Sequence, residues 1–241
     1  MIDFYHVTKR FDEDGITAVD NITFSMDKGD FYYLLGPSGA GKTTLMRLLY
    51  RDISPTKGQI LINDKNVGSM PEGDIPYLRR RIGVVFQDFK LLNDRTVFDN
   101  VALSLIVRNE NKDEINRRVM RTLEQVGLKD KRDQKPRQLA GGERQRVSMA
   151  RALVKEPEIL LADEPTGNLD PSLSTNIVEL LEDINARGTT LLVATHDYRT
   201  VEGHEHPCLV LEEGKLIEGP TRNPRDVEIS KEEPVEAVTE P

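Results

Sequence analysis

The stretch Gly36-Pro37-Ser38-Gly39-Ala40-Gly41-Lys42-Thr43, continued by Thr44, fits the pattern G-x-x-x-x-G-K-[ST]. Its flanks fit the mechanism behind that pattern. Phe31-Tyr32-Tyr33-Leu34-Leu35 reads as an apolar, aromatic strand, and Leu45-Met46-Arg47-Leu48-Leu49 carries apolar residues at helical spacing. Strand, glycine loop and helix together predict a phosphate-binding turn. The glycines let the backbone bend tightly and bring N–H groups onto phosphate oxygens, at a helix N-terminus whose dipole already favours an anion. In that arrangement Lys42 reaches the β- and γ-phosphates of a nucleotide and the Thr43 hydroxyl binds Mg²⁺.

Two other strands end in residues suited to that chemistry. Ile159-Leu160-Leu161-Ala162-Asp163-Glu164 is apolar until it meets two carboxylates, and an unpaired charge at a core edge is costly. Mg²⁺ explains Asp163, and Glu164 beside it faces the γ-phosphate as general base for water; capping of the following turn is the plainer alternative. Thr190-Leu191-Leu192-Val193-Ala194 reads as a buried strand leading to Thr195-His196-Asp197. His196 stands either as a γ-phosphate contact or as a structural histidine.

Residues 2 to 7 and 19 to 26 read as strands around an Asp12-Glu13-Asp14-Gly15 turn, with Phe11 between them as a base-stacking ring or a core residue. Pro55-Thr56-Lys57-Gly58 reads as a turn before the strand Gln59-Ile60-Leu61-Ile62, and Tyr77-Leu78-Arg79-Arg80-Arg81 as a solvated helix end. The strand Ile82-Gly83-Val84-Val85-Phe86 then runs into Gln87. From Asp88 to about Pro157 the pattern is helical. There Ile115, Val119, Leu123 and Val126 line one face, and Leu139-Ala140-Gly141-Gly142-Glu143 opens a further helix with an exposed N-terminus. Asn168-Leu169-Asp170-Pro171 starts another helix, Cys208 to Ile217 reads as a closing hairpin, and His204 and His206 read as loop residues.

The formal net charge is -8 over 241 residues, which argues against nucleic acid as a partner. Cys208 alone forms no internal disulfide and suits a reducing compartment. The N-terminus has no signal-peptide pattern, and no apolar run approaches the roughly 20 residues that cross a bilayer. From Pro220 onward the composition is acidic and proline-containing, as in a disordered tail.

In order, these motifs resemble those of the nucleotide-binding subunits of ABC transporters, over about residues 1 to 219. Gly36 to Thr43 corresponds to the Walker A loop, Gln87 to the Q-loop and Leu139 to Glu143 to the signature. Ile159 to Glu164 corresponds to Walker B, Asn168-Leu169-Asp170 to the D-loop and His196 to the switch histidine. The resemblance implies an α/β P-loop NTPase with a RecA-like core, an antiparallel β subdomain and a helical insert at about 88–157. It implies ATP and Mg²⁺ as ligands, with Gln87 beside Thr43 and Asp163 at the metal and Phe11 stacked on adenine. It also implies a homodimer in which the signature of one copy closes the ATP site of the other.

Leu161-Ala162-Asp163-Glu164-Pro165-Thr166-Gly167-Asn168-Leu169-Asp170 is similar to the subgroup serving lipoprotein release, macrolide export and cell division. The stretches from Leu78 to Asp88 and from Leu91 to Val101 are most similar to its cell-division members. Such members act peripherally at the cytoplasmic face of the inner membrane, with an integral membrane partner that controls cell-wall hydrolases. An exporter ATPase and an ATP-gated scaffold are the rivals; a DNA-repair ATPase would need a coiled-coil or zinc insertion, and the sequence has neither. One position departs from the family pattern. Ala140 replaces a serine whose hydroxyl would donate to the γ-phosphate, and a hydrogen bond to a charged group contributes roughly 1.5 to 3 kcal/mol. Slow turnover is the expected result.

Overall fold

The structure is a computed structural model and describes residues 1–11, 15–167, 169–197, 201 and 206–219. Asp12 to Asp14 of the expected turn, Asn168, His204 and the chain from Pro220 lie outside the described residues.

The chain opens with β1 (Ile2–Phe11), β2 (Ile16–Met26), β3 (Phe31–Leu35), α1 (Lys42–Leu49), β4 (Lys57–Ile62) and β5 (Lys65–Asn66). Next come α2 (Ile75–Arg81) and β6 (Ile82–Val85), and then three helices, α3 (Val97–Ile106), α4 (Lys112–Gln125) and α5 (Gly141–Leu153). The chain re-enters the sheet at β7 (Ile159–Asp163), followed by α6 (Pro171–Ala186), β8 (Thr190–Thr195), β9 (Cys208–Glu212) and β10 (Lys215–Glu218).

One sheet has the order β10-β9-β3-β8-β7-β6, parallel except for β10. The other is antiparallel, in the order β2-β1-β4-β5. The parallel strands are apolar throughout because both their faces are covered. Phe31, Tyr33 and Leu35 of β3 face one core with Leu160, Ala162, Leu191 and Val193, against α3 to α6. Tyr32 and Leu34 face the other, with Leu161, Leu192, α1 and the antiparallel sheet. Burying each such side chain stabilises the fold by about 1.5–3 kcal/mol.

This stacking sets the site. β3, β8 and β7 are neighbours and parallel, so the residues after Leu35, Thr195 and Asp163 emerge at one edge, with Gln87 two residues beyond β6. Ligands of open α/β sheets bind at that carboxyl edge.

Several local expectations are corrected. β1 and β2 run past the expected limits because the ladder continues through Lys9↔Val19, Arg10↔Thr17 and Phe11↔Ile16, so Phe11 ends a strand and does not sit between two. Lys57 and Gly58 open β4, with Lys57 opposite Thr8. The arginine run is not simply solvated. Arg79 donates to the Tyr50 and Arg51 carbonyls at 3.1 and 3.0 Å, Arg81 forks onto Glu158 at 2.7 and 2.6 Å, and Arg80 lies over the Tyr77 ring. His206 is in a loop, but its ring stacks on Phe31 with centroids 4.1 Å apart.

Candidate nucleotide-binding site

The loop between β3 and α1 requires its glycines. Gly41 has φ 104°, and a Cβ there would sit 2.2 Å from the Ala18 carbonyl oxygen; at Gly36 a Cβ would meet the Leu211 carbonyl oxygen at 2.1 Å. Two distant strands therefore press on the loop backbone. The Gly214 N–H donates to the Ala40 carbonyl at 3.1 Å and fixes the loop from a third side. Gly41 is the N-cap of α1 and no side chain caps that helix, so its first N–H groups remain available to an anion.

Lys42 is buried and lies back along the loop, donating to the Gly36 and Pro37 carbonyls at 2.7 and 3.0 Å. Its ammonium is 3.6 Å from Glu164 Oε1. Glu164, also buried, adopts φ 49°, a left-handed shape that costs a non-glycine residue on the order of 1–3 kcal/mol. Its N–H donates to the Ala194 carbonyl at 2.9 Å, which holds the turn against β8. The other carboxylate oxygen, Oε2, is 2.9 Å from His196 Nδ1, and the His196 N–H donates to it at 3.4 Å. With Nδ1 engaged, Nε2 is the ring nitrogen left for a phosphate oxygen.

Asp163 accepts from the Thr43 hydroxyl at 2.8 Å through Oδ2, while its Oδ1 is buried without a hydrogen-bond partner. Burial raises the Asp163 pKa, against the opposing Thr43 hydrogen bond. A half-buried carboxylate with one orphaned oxygen beside a threonine hydroxyl fits a divalent cation that also takes phosphate oxygens. Among the described residues no cluster of three or more His, Cys, Asp or Glu side chains forms a metal cage. A magnesium site built on one carboxylate and one hydroxyl needs none.

One cleft of about 330 Å³ has walls that include Ser38, Gly39, Gly41, Lys42, Thr43, Thr44, Gln87, Glu164 and His196; Asp163 is not in its walls and reaches it through Thr43. Ala18 also lines it and was not foreseen, because nothing marks a strand alanine in the sequence. Phe11 is not in its walls; it lies on the ladder opposite Ile16, two residues before Ala18, with Lys9 over its ring. None of Leu139 to Glu143 lines the cleft either. Those residues begin α5, where Ala140 is the N-cap, its side chain accepts nothing, and Glu143 Oε2 accepts from the Ala140 N–H at 3.1 Å. Asp170 caps α6 by accepting from the Leu173 N–H at 3.0 Å, and the partly buried Leu169 packs on the core.

Residues 19–167 match the family described as ABC transporter. The chain belongs to the ABC transporter family. The cassette is 47% identical over 222 residues to "Cell division ATP-binding protein FtsE" of Bacillus subtilis, covering 92% of the chain and 97% of that relative. The protein of the same name from Escherichia coli K12 is 46% identical, covering 91% and 98%. Among solved structures, the dimeric structure of MJ0796, a bacterial ABC transporter cassette, superposes with a TM-score of 0.83 at 33% identity, covering 91% and 98%. A second structure of MJ0796, a post-hydrolysis state bound to ADP and Pi, also gives 0.83, at 32% identity over 91% and 98%. The cassette is thus an FtsE-like ATPase with the P-loop architecture expected from its motifs.

Ala140→Ser is expected to raise ATP turnover by about tenfold, the low end of a charged hydrogen bond. The serine also adds an N-cap to α5, worth about 1 kcal/mol, so melting temperature rises in the same variant. Steady-state phosphate release separates the effects. A rise in melting temperature with no rise in turnover would remove the proposed catalytic deficit.

Proposed function

We propose that two copies of this cassette close head to tail around two molecules of Mg·ATP and that closure and hydrolysis drive an FtsX-like integral membrane protein, through which cell-wall hydrolases are controlled during division. One observation carries this reading. The cleft gathers Lys42, Thr43, Glu164 and His196, with Asp163 bonded to the Thr43 hydroxyl, but contains no part of Leu139 to Glu143, which supports the reading that one chain supplies half of each site. The relatives named FtsE support the cell-division role, and the dimeric MJ0796 structures support the pairing.

Phosphoryl transfer needs positioning and charge stabilisation more than covalent help. Loop N–H groups hold the phosphates, and Lys42 turns from its carbonyl partners onto the γ-phosphate. Glu164, steadied by His196, accepts a proton from the attacking water; His196 Nε2 faces the developing charge. Thr43, Asp163 and Gln87 would hold Mg²⁺, which when bound neutralises charge on the β- and γ-oxygens. Phe11 stacks on adenine, Gly141 and Gly142 present backbone N–H groups to the ATP of the other copy, and Leu169 and Asp170 lie at the shared boundary.

The membrane partner docks beside Gln87 to Val101. A groove of about 300 Å³ there is lined by Arg79, Phe86, Ser104, Arg151 and Lys155, and Ile106 and Val107 of the nearby α3 end are exposed. Burial, with Arg108 nearby, pulls Lys155 down to about 8, and its ammonium bonds the Arg79 carbonyl. Three cations against the single carboxylate of Asp52 leave the groove net positive, which suits a cytoplasmic segment with an acidic side chain. Among the described residues no helix is long and apolar enough to cross a membrane.

Ala140 favours a second reading, an ATP-gated scaffold whose hydrolysis matters little. Affinity purification from native membranes with Mg·ATP, followed by identification of integral proteins at stoichiometric yield, tests the first. An FtsX-like subunit is expected. An exporter-type subunit would overturn the cell-division role, and a dimer with no integral protein would favour the scaffold.

A further inference from the structure

The parallel sheet has a second edge, opposite the nucleotide cleft, where β3, β7 and β8 begin. A cavity of about 430 Å³ lies there, between α4 and the C-terminal ends of α5 and α6, and its lining includes Lys28, Arg118, Arg121, Arg187, Glu156 and Glu158. Part of this charge is already matched. Arg118 donates to the Val154 carbonyl at the end of α5 at 2.7 Å and to Glu110 at 3.2 and 3.1 Å, as cations commonly do near helix C-termini. Arg121 is 3.9 Å from Glu156. Glu158 takes the fork from Arg81, which with a smaller contribution from Lys28 holds its carboxyl below the ordinary range. Two cations are left over. Among the described residues neither Lys28 nor Arg187 makes a side-chain hydrogen bond or a direct ion pair, and the Arg118 Nε is buried without a partner. A concave surface with surplus positive charge attracts an anion.

The chain itself carries negative charge toward this edge. β10 is antiparallel to β9, and β9 is parallel to β3, so β10 runs from the cleft edge toward the cavity edge. Its last residue, Glu218, is paired with Val210, which is paired in turn with Leu35 at the cleft end of β3. From there β8 is three strand spacings away, about 14 Å, and the start of β3 is about 13 Å further down the sheet. Asp226 comes seven residues after Gly219, a span of up to about 25 Å, and later residues reach further. From Asp226 to Glu240 the sequence holds six carboxylates, Glu232 and Glu233 being adjacent, against the single cation Lys231. Sign, direction and reach therefore agree.

We propose that the cavity at the starts of β7 and β8 is the docking site for the chain's own acidic segment, Asp226 to Glu240, with Glu232 and Glu233 offered to Lys28 and Arg187. A tethered segment meets the cavity at an effective concentration on the order of millimolar, so a few exposed ion pairs, individually weak, are enough to hold it. The docking uses the face away from the nucleotide and requires neither ATP nor a second copy.

The chain has no tryptophan, so Val235→Trp in the full chain places a single such fluorophore within the segment. Quenching by acrylamide, which is uncharged, measures how far that ring is shielded. The quenching constant should be about threefold lower at low salt than at about 1 M salt, where charges are screened beyond about 3 Å. Adding Lys28→Glu and Arg187→Glu should bring the low-salt value up to the high-salt one. Location is read separately. Carbodiimide coupling at low salt, mapped by mass spectrometry, should join the Lys28 amine to carboxylates of residues 226–240, and Arg187→Glu should cut that yield several-fold. Equal quenching at both salt concentrations, or shielding that survives the Lys28→Glu/Arg187→Glu change, overturns the proposal. Coupling from Lys28 only to the segment of another molecule, seen as covalent dimers that vanish on dilution, would give the cavity to a second copy and overturn docking within one chain. Should the cavity variant fail to fold, Glu232→Lys/Glu233→Lys, which leaves residues 1–219 untouched, must expose the tryptophan equally, and retained shielding there is equally fatal.

Discussion

Glu164→Gln is expected to bind Mg·ATP at least as tightly as the wild type and to hydrolyse it about 10²–10⁴ times more slowly, the usual cost of losing a positioned general base. The binding half of this expectation comes from charge. Glu164 Oε1 lies 3.6 Å from Lys42 Nζ, so a γ-phosphate drawn to Lys42 approaches a buried carboxylate of its own sign. The amide removes that repulsion while matching the carboxylate in shape, and Lys42 keeps its loop carbonyls until phosphate arrives. Nucleotide should then persist in a closed dimer, seen as an ATP-dependent doubling of mass by light scattering. Single-turnover phosphate release close to the wild-type rate would exclude Glu164 as the base.

Gly41→Ala should reduce Mg·ATP affinity by at least about a hundredfold, equivalent to two lost hydrogen bonds to a charged group. The Cβ must find room 2.2 Å from the Ala18 carbonyl, at φ 104°, where alanine is strained even in open space. The 2.2 Å contact is with backbone and not with a flexible side chain, so the loop backbone has to move, and its N–H groups move with it. A loss of about 2–3 kcal/mol in stability accompanies this, or roughly 4–12 °C in melting temperature for a chain of this size. Isothermal titration and thermal unfolding of the nucleotide-free protein measure both. Unchanged affinity in a folded Gly41→Ala protein would mean that the loop does not bind phosphate through the backbone arrangement described here.

The parts of the site legible in the sequence are those whose chemistry is local. Lys42 and Thr43 follow a glycine loop by adjacency, and Asp163 and Glu164 stand out as charges ending an apolar run. Contacts made by chemically ordinary residues were not legible. Ala18 on β2 and Gly214 in the turn between β9 and β10 bear on the loop through a carbonyl and an N–H that carry no mark in the sequence. Glu164 at φ 49° is equally silent, because glutamate has no special preference for that region. The arginine run is mostly exposed, as a solvated helix end should be, but the partners of Arg79 and Arg81, the Tyr50 and Arg51 carbonyls and the Glu158 carboxylate, are ones that only the folded chain brings near. At Lys57 and Gly58 a local turn signal lost to strand pairing with β1, as tertiary context commonly overrides propensity.

The loop near the beginning of the chain is held by Leu211 and Gly214 near its end, and β3 finds its two neighbours only in β8 and β9. During synthesis the first strand of the parallel sheet must therefore wait, unpaired on both edges, until β8 and then β9 have left the ribosome. A nascent chain that has not yet reached Gly214 has no finished cradle with which to sequester nucleotide.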